Sequence, residues 1–185
     1  MSVLPMIADV GRVLYLFVPA YAANMAPVLA RGHLVALARP LDFGCTVRGV
    51  RLLGDHKTWR GIVAGTAAGV LVYAIQAGLH RAGALRGLAL VDYDAWHGLP
   101  GLLMGVGAGL GDAAKSLVKR RIGIAPGESW VGFDQLDFMA GSYLTLAPLY
   151  LAPLAPTILA LPVIFVGSIL VTATAYTLHM KEAWI

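Results

Sequence analysis

The chain has 185 residues, 58% of them hydrophobic and only 13% charged, with a mean hydropathy of +0.74. A soluble domain carries about 25% charged residues, so this composition excludes an ordinary water-soluble globule and indicates an integral membrane protein. Fourteen Lys and Arg against ten Asp and Glu leave a formal charge of +4, and the single cysteine, Cys45, has no partner for a disulfide within the chain.

A hydrocarbon core of about 30 Å asks for roughly 20 apolar residues per helix, and five segments qualify. The first runs from Val3 to Ala30. It has no basic leading region and is interrupted by Asp9 and Arg12, so it reads as a first span, not as a cleaved leader. Pro19 and Pro27 each remove a backbone donor and are predicted to bend or end that helix, opening a groove beside it. The stretch from 31 to 60 is too long for a bare turn; Thr46 to Leu52, around Gly49, is predicted to form a small hairpin. Span two (Gly61 to Leu79) carries Gly61, Gly65 and Gly69, and span three (Leu99 to Val118) carries Gly101, Gly105 and Gly109. Small residues at that spacing line one stripe and let backbones approach closely, so these two spans are expected to touch. Span four runs from Phe138 to Leu154 and span five from Thr157 to Leu178. In span five, Ser168, Thr172, Thr174 and Thr177 are expected to satisfy their hydroxyls on their own helix.

Between spans one and two lie Arg31, Arg39, Arg48, Arg51, Lys57 and Arg60; between spans three and four lie Lys115, Lys119, Arg120 and Arg121. The opposite side has Arg81 and Arg86 offset by Asp92 and Asp94. Since Lys and Arg accumulate in short cytoplasmic loops, the N-terminus is expected outside and the C-terminus in the cytosol. The reading is an all-α integral membrane protein in the cell membrane, one domain over residues 1–185 with about five transmembrane helices. Its two basic cytosolic loops would form the active site. That face attracts anionic lipid or phosphate, and no nucleic-acid partner is expected.

The chemistry concentrates between Gly111 and Phe138. Asp112, Lys115, Ser116 and Lys119 stand at i, i+3, i+4 and i+7 and share one helix face that is too polar for lipid. Asp134 and Asp137 stand at i and i+3 where span four begins, beside the positive end of its dipole. Three carboxylates at the ends of two helices, without His or Cys, suit Mg²⁺, which takes one or two carboxylates plus waters and substrate phosphates. Lys115, Lys119, Arg120 and Arg121 alternate with these acids, as needed to hold a polyphosphate together with its metal. Gly123, Pro126 and Gly127 make a turn where backbone amides could approach a nucleotide, and Leu53 to Gly61 (LGDHKTWRG) brings Asp55, Lys57, Thr58 and Arg60 to the same face. Each feature has a plainer explanation: a basic run after a span anchors topology, Asp134 caps a helix, Asp112 neutralises a lysine. Acids near a membrane interior are costly, however, and their coincidence favours function.

Four motifs together, PAYAANMAP (Pro19 to Pro27), LGDHKTWRG, GDAAKSLVKRRIGIAPG (Gly111 to Gly127) and DQLDF (Asp134 to Phe138), resemble the archaeal CDP-archaeol synthases, themselves distantly similar to bacterial CDP-diacylglycerol synthases. The resemblance runs from span one to the start of span four; beyond that only hydropathy matches. It implies a cytidylyltransferase that moves CMP from CTP to an unsaturated isoprenoid ether lipid phosphate, releasing pyrophosphate. Within that resemblance, Mg²⁺ would sit on Asp112, Asp134 and Asp137, with Lys115 beside them. Lys115, Lys119, Arg120 and Arg121 would hold the phosphates, Ser116 would bind substrate or nucleotide, Lys57 and Thr58 would bind nucleotide or phosphate, and Asn24 would contact nucleotide or order the loop. Two alternatives are a CDP-alcohol phosphotransferase, whose DG..AR signature is missing, and a small transporter, whose polar residues should recur near mid-span.

Overall fold

The computed structural model describes residues 3–125 and 128–177, so Pro126 and Gly127 of the expected turn and Leu178 of span five lie outside the described residues. Among the described residues six α-helices follow one another: α1 (Val3–Leu16), α2 (Val18–Leu29), α3 (Trp59–Arg81), α4 (Leu99–Arg121), α5 (Phe133–Leu146) and α6 (Leu154–Thr177). The only strands among the described residues are β1 (Thr46–Val47) and β2 (Val50–Arg51). They pair antiparallel through the two-residue turn Arg48–Gly49, where both residues have positive φ, the twist that tight hairpins require. This is the expected hairpin.

The expected single first span is two helices. Pro19 has no N–H to offer the carbonyl of Tyr15 one turn earlier. The side-chain amide of Gln76 in α3 takes over, donating to that carbonyl at 2.6 Å. A buried glutamine in a membrane helix thus satisfies the backbone group that the proline frees, and the chain breaks between Leu16 and Val18 without an orphaned acceptor. Pro27 remains inside α2, near its end.

Among the described residues three stretches are long and apolar enough to cross a membrane: Pro5–Leu29, Trp59–Arg81 and Leu154–Thr177. The expectation of five such spans is therefore met only in part. α4 has 23 residues, but its last turns carry charge. α5 has 14 residues, about 21 Å at 1.5 Å per residue, short of a hydrocarbon core of about 30 Å.

Glycine sets the helix contacts. Gly69 and Gly101 pack so closely that a Cβ on either would stand 2.7 Å from the other's carbonyl oxygen, and one on Gly105 would stand 2.7 Å from the Cα of Thr66. Spans two and three touch as expected. A second stripe of α4, Gly107 and Gly111, meets Gly141 of α5, and here Ser142 and Thr145 donate across to the carbonyls of Met104 and Leu103, each at 2.8 Å. The sequence reading missed that stripe. Val13, Phe17, Tyr73, Met104, Phe138 and Ile164 fill the core between the helices. In α6, Ser168, Thr174 and Thr177 donate to carbonyls of their own helix, as expected.

Candidate active site

At the charged end of the bundle, the last turns of α4 and the first turns of α5 face each other. The close approach of Gly111 to the backbone carbonyl of Asp137 makes this possible, since a side chain at 111 would fill the space. Lys115 of α4 stands between the acids: its Nζ is 3.1 Å from Asp112, 2.8 Å from Asp134 and 2.6 Å from Asp137. All three expected carboxylates thus converge on one ammonium. Asp112 is also held by Lys57, whose Nζ donates to both of its oxygens at 2.5 and 2.7 Å.

Local structure fixes the acids. Asp134 lies in the first turn of α5 and accepts from the backbone N–H of Trp130 at 2.5 Å, and from the Ser129 hydroxyl at 3.5 Å. The Gln135 side chain accepts from the N–H of Gly132 at 2.6 Å, closing the helix start. Asp137 accepts from the N–H of Phe138 at 2.6 Å. Lys119 is buried, bonds the carbonyl of Glu128 and lies 3.3 Å from Asp134.

Two polar cavities meet at this cluster. One, of about 410 Å³, lies among α2, α3 and α4 and reaches Asn24, Arg31, Lys57, Thr58 and Asp112. The other, of about 190 Å³, is lined by His56, Lys57, Lys115, Ser116, Lys119, Arg120, Glu128 and Asp134. His56 and Lys57 border both. Thr58 caps α3, its hydroxyl accepting from Gly61 N at 3.3 Å. Arg120 bonds the carbonyl of Ile124. Arg121 points elsewhere: its exposed guanidinium donates at 3.1 Å to the carbonyl of Val47 in β1, tying the hairpin to α4. Of the expected site residues, Arg121 alone borders neither polar cavity nor the carboxylates.

An apolar cavity of about 910 Å³ borders Lys115 and Asp137 from the other side. Leu136, Ala140, Leu144, Leu154, Ile158 and Leu161 of α5 and α6 line it, with Trp130 and Phe133 stacked at 4.0 Å near the charged end. The groove expected beside the first span is present as the larger polar cavity, where Ala23, Asn24, Pro27 and Val28 of α2 face Gly61, Gly65 and Gly109. Gly65 of α3 packs against the carbonyl of Ala23 in α2, and the apolar cavity lies apart from that contact, between α4, α5 and α6.

Among the described residues no three His, Cys, Asp or Glu side chains form a ready-made metal cage. The donors nevertheless suit a hard divalent cation: they are all oxygen, and they already surround one cation, the Lys115 ammonium. Mg²⁺ needs only one or two of them, with water and phosphate oxygens completing its shell.

Helices that bury a carboxylate and lysine cluster at one end of the bundle, between polar and apolar cavities, define an enzyme that works on a substrate with one charged and one apolar end. The CarS-like CDP-archaeol synthase family model matches residues 6–185. The chain is 42% identical to the CDP-archaeol synthase of Methanopyrus kandleri over 137 residues, covering 74% of this chain and 69% of that one. It is 37% identical to that of Halobacterium salinarum, covering 97% and 99%. A solved structure of an intramembrane enzyme for archaeal membrane lipid biosynthesis superposes with a TM-score of 0.70 at 30% identity, covering 86% of this chain and 91% of that one. The chain belongs to the CDP-archaeol synthase family and is a CTP-dependent cytidylyltransferase. The match reaches well beyond span four, further than the motifs alone extended.

Two further residues shape this region, Glu128 through its carbonyl to Lys119 and Asp42 through its carboxylate to Gly44 N. Asp42-Phe43-Gly44 carries a readable signal, since Asp side chains accept from the N–H two residues on. For Glu128 the role belongs to the backbone, which no side-chain pattern reveals.

Proposed function

We propose that this chain transfers CMP from CTP to 2,3-di-O-geranylgeranylglyceryl phosphate in the cell membrane, with the active site facing the cytosol, yielding CDP-archaeol and pyrophosphate. A phosphate oxygen of the lipid attacks the α-phosphorus of CTP as the bond from that phosphorus to the β-phosphate oxygen breaks. The lipid phosphate is largely dianionic at neutral pH, its second pKa being about 6, so the nucleophile needs little help from a base. What the residues supply is position and charge balance.

Asp112, Asp134 and Asp137 would hold Mg²⁺, which supplies charge neutralisation on phosphoryl oxygens when bound. Lys57 and Lys115, released from their carboxylates, turn to the triphosphate; Lys119 and Arg120 line the smaller cavity for the phosphates. Asn24 and Thr58 line the larger polar cavity, which has room for the nucleoside. The isoprenoid chains occupy the apolar cavity between α4, α5 and α6, so that the lipid phosphate reaches Lys115 without its chains leaving the membrane.

The observation that carries this reading is the convergence of three carboxylates on Lys115 where polar and apolar cavities meet. To test it, purified protein is given labelled CTP, MgCl₂ and either the unsaturated ether lipid phosphate or phosphatidic acid, and CDP-lipid and pyrophosphate are followed. CDP-lipid and pyrophosphate should form in equal amounts, faster with the ether lipid, be abolished by EDTA and fall by a hundredfold or more in Asp134→Asn. Absence of product from folded protein with both lipids would reject the reading.

A further inference from the structure

The segment that brings Lys57 to Asp112 is irregular chain, and something must fix it. Its backbone is anchored at two points beside the lysine: Leu41 N donates to the carbonyl of Lys57 at 2.7 Å, and Trp59 N donates to that of Arg39 at 3.1 Å. Immediately after Leu41 comes Asp42, whose carboxylate is fully enclosed. One oxygen accepts from Gly44 N at 3.1 Å and from the Arg51 guanidinium at 2.9 Å; the other accepts from Leu53 N at 3.0 Å and Gly54 N at 3.4 Å. Arg51 reaches on to Asp55 at 2.6 Å. A single buried side chain therefore joins the start of this segment, the hairpin and the turn at Leu53–Gly54, three residues before Lys57.

We propose that Asp42 is a positioning residue of this enzyme: it sets the path of residues 53–57 so that the Lys57 ammonium is delivered to the Asp112 side of the triphosphate site. The inference rests on the proposed phosphate role of Lys57. Asp42 touches no expected substrate position and borders none of the three cavities. The polar groups it binds are mostly backbone amides, which no neutral side chain could satisfy in the same number, because an Asn amide would turn its own donors toward some of them. Losing the carboxylate lets residues 53–57 sample other paths, while α3 and α4 keep their glycine contacts.

The test is a double-mutant cycle on the full chain, with Asp42→Asn, Lys57→Ala and the pair, reading kcat and KM for CTP. Groups that act as a unit give non-additive losses. Asp42→Asn should lower kcat/KM for CTP by about tenfold, mainly through KM, and Lys57→Ala by about a hundredfold, with the pair within about threefold of Lys57→Ala alone. KM for the lipid should hold throughout. Losses that multiply in the pair, or wild-type activity in Asp42→Asn, would overturn the inference and leave the role of Lys57 standing. Wild-type activity in Lys57→Ala would overturn both. If Asp42→Asn does not yield folded protein, Arg51→Gln, which removes one of the four donors, runs through the same cycle under the same criteria.

Discussion

Asp134 is tied to both Lys115 and Lys119 and receives a backbone amide from Trp130, so its Asn variant preserves shape while losing the charge. In the proposed reaction that charge holds the metal, and kcat should fall by a hundredfold or more, roughly the scale of losing one preorganised electrostatic group. Circular dichroism should keep its helical signature, since α4 and α5 stay joined by their glycine contacts. Asp42 predicts a different response. Burial pushes its carboxyl up, but hydrogen bonds from Leu53, Arg51, Gly44 and Gly54 more than offset this and hold it at about 2, below its ordinary 3.8. Its contribution is therefore complete above the ordinary value and is lost as pH falls from about 4 toward about 2. Protease cleavage within residues 40–55 should rise over that window in wild-type protein, and Asp42→Asn should already be cleaved at neutral pH. A flat cleavage profile would contradict the assignment.

At the scale of elements, glycine positions decide which helices meet. A Cβ at Gly141 would collide with the backbone of Gly107 and Gly111, whereas one at Gly78 meets nothing within 4 Å. Gly141→Ala should lower stability by about 2 kcal/mol or more through overpacking, and Gly78→Ala should be neutral or slightly stabilising through helix propensity. Thermal unfolding in detergent distinguishes them. The sequence made the α3–α4 contact readable because Gly65, Gly69, Gly101 and Gly105 repeat at helical spacing. It hid the α4–α5 contact because Gly107 and Gly111 repeat at the same interval one face away, and spacing alone does not say which neighbour each stripe meets. The carboxylate cluster was readable for a related reason: i, i+3 and i+4 spacings fix a face. Arg121 stands apart because a basic run at a helix end winds around the helix, sending its last member to the Val47 carbonyl and away from the cavities. Likewise Pro19 announced a break, but nothing local announced that Gln76, 61 residues along the chain from Tyr15, would accommodate it.

For the whole molecule, the orientation inferred from charge asymmetry can be tested with what the chain already has. Cys45 is exposed and sits in the 31–58 segment on the charged side. With that side cytosolic, a membrane-impermeant maleimide should leave intact cells unlabelled and label inverted vesicles; labelling of intact cells would reverse the topology. The division between polar and apolar cavities makes a parallel prediction. Ala140→Trp should fill part of the space lined by Leu136, Leu144 and Ile158 and raise KM for the lipid by about tenfold, leaving KM for CTP within about twofold. Equal changes in both would place the chains elsewhere.

The apolar cavity lies between α4, α5 and α6, and this changes what concentration means for the enzyme. A substrate that stays in the bilayer is counted per lipid, not per litre. In mixed micelles at fixed total substrate, adding inert detergent should slow the reaction in proportion to the falling mole fraction of the lipid phosphate. Dilution with buffer at constant CTP and Mg²⁺ should leave the turnover per enzyme unchanged.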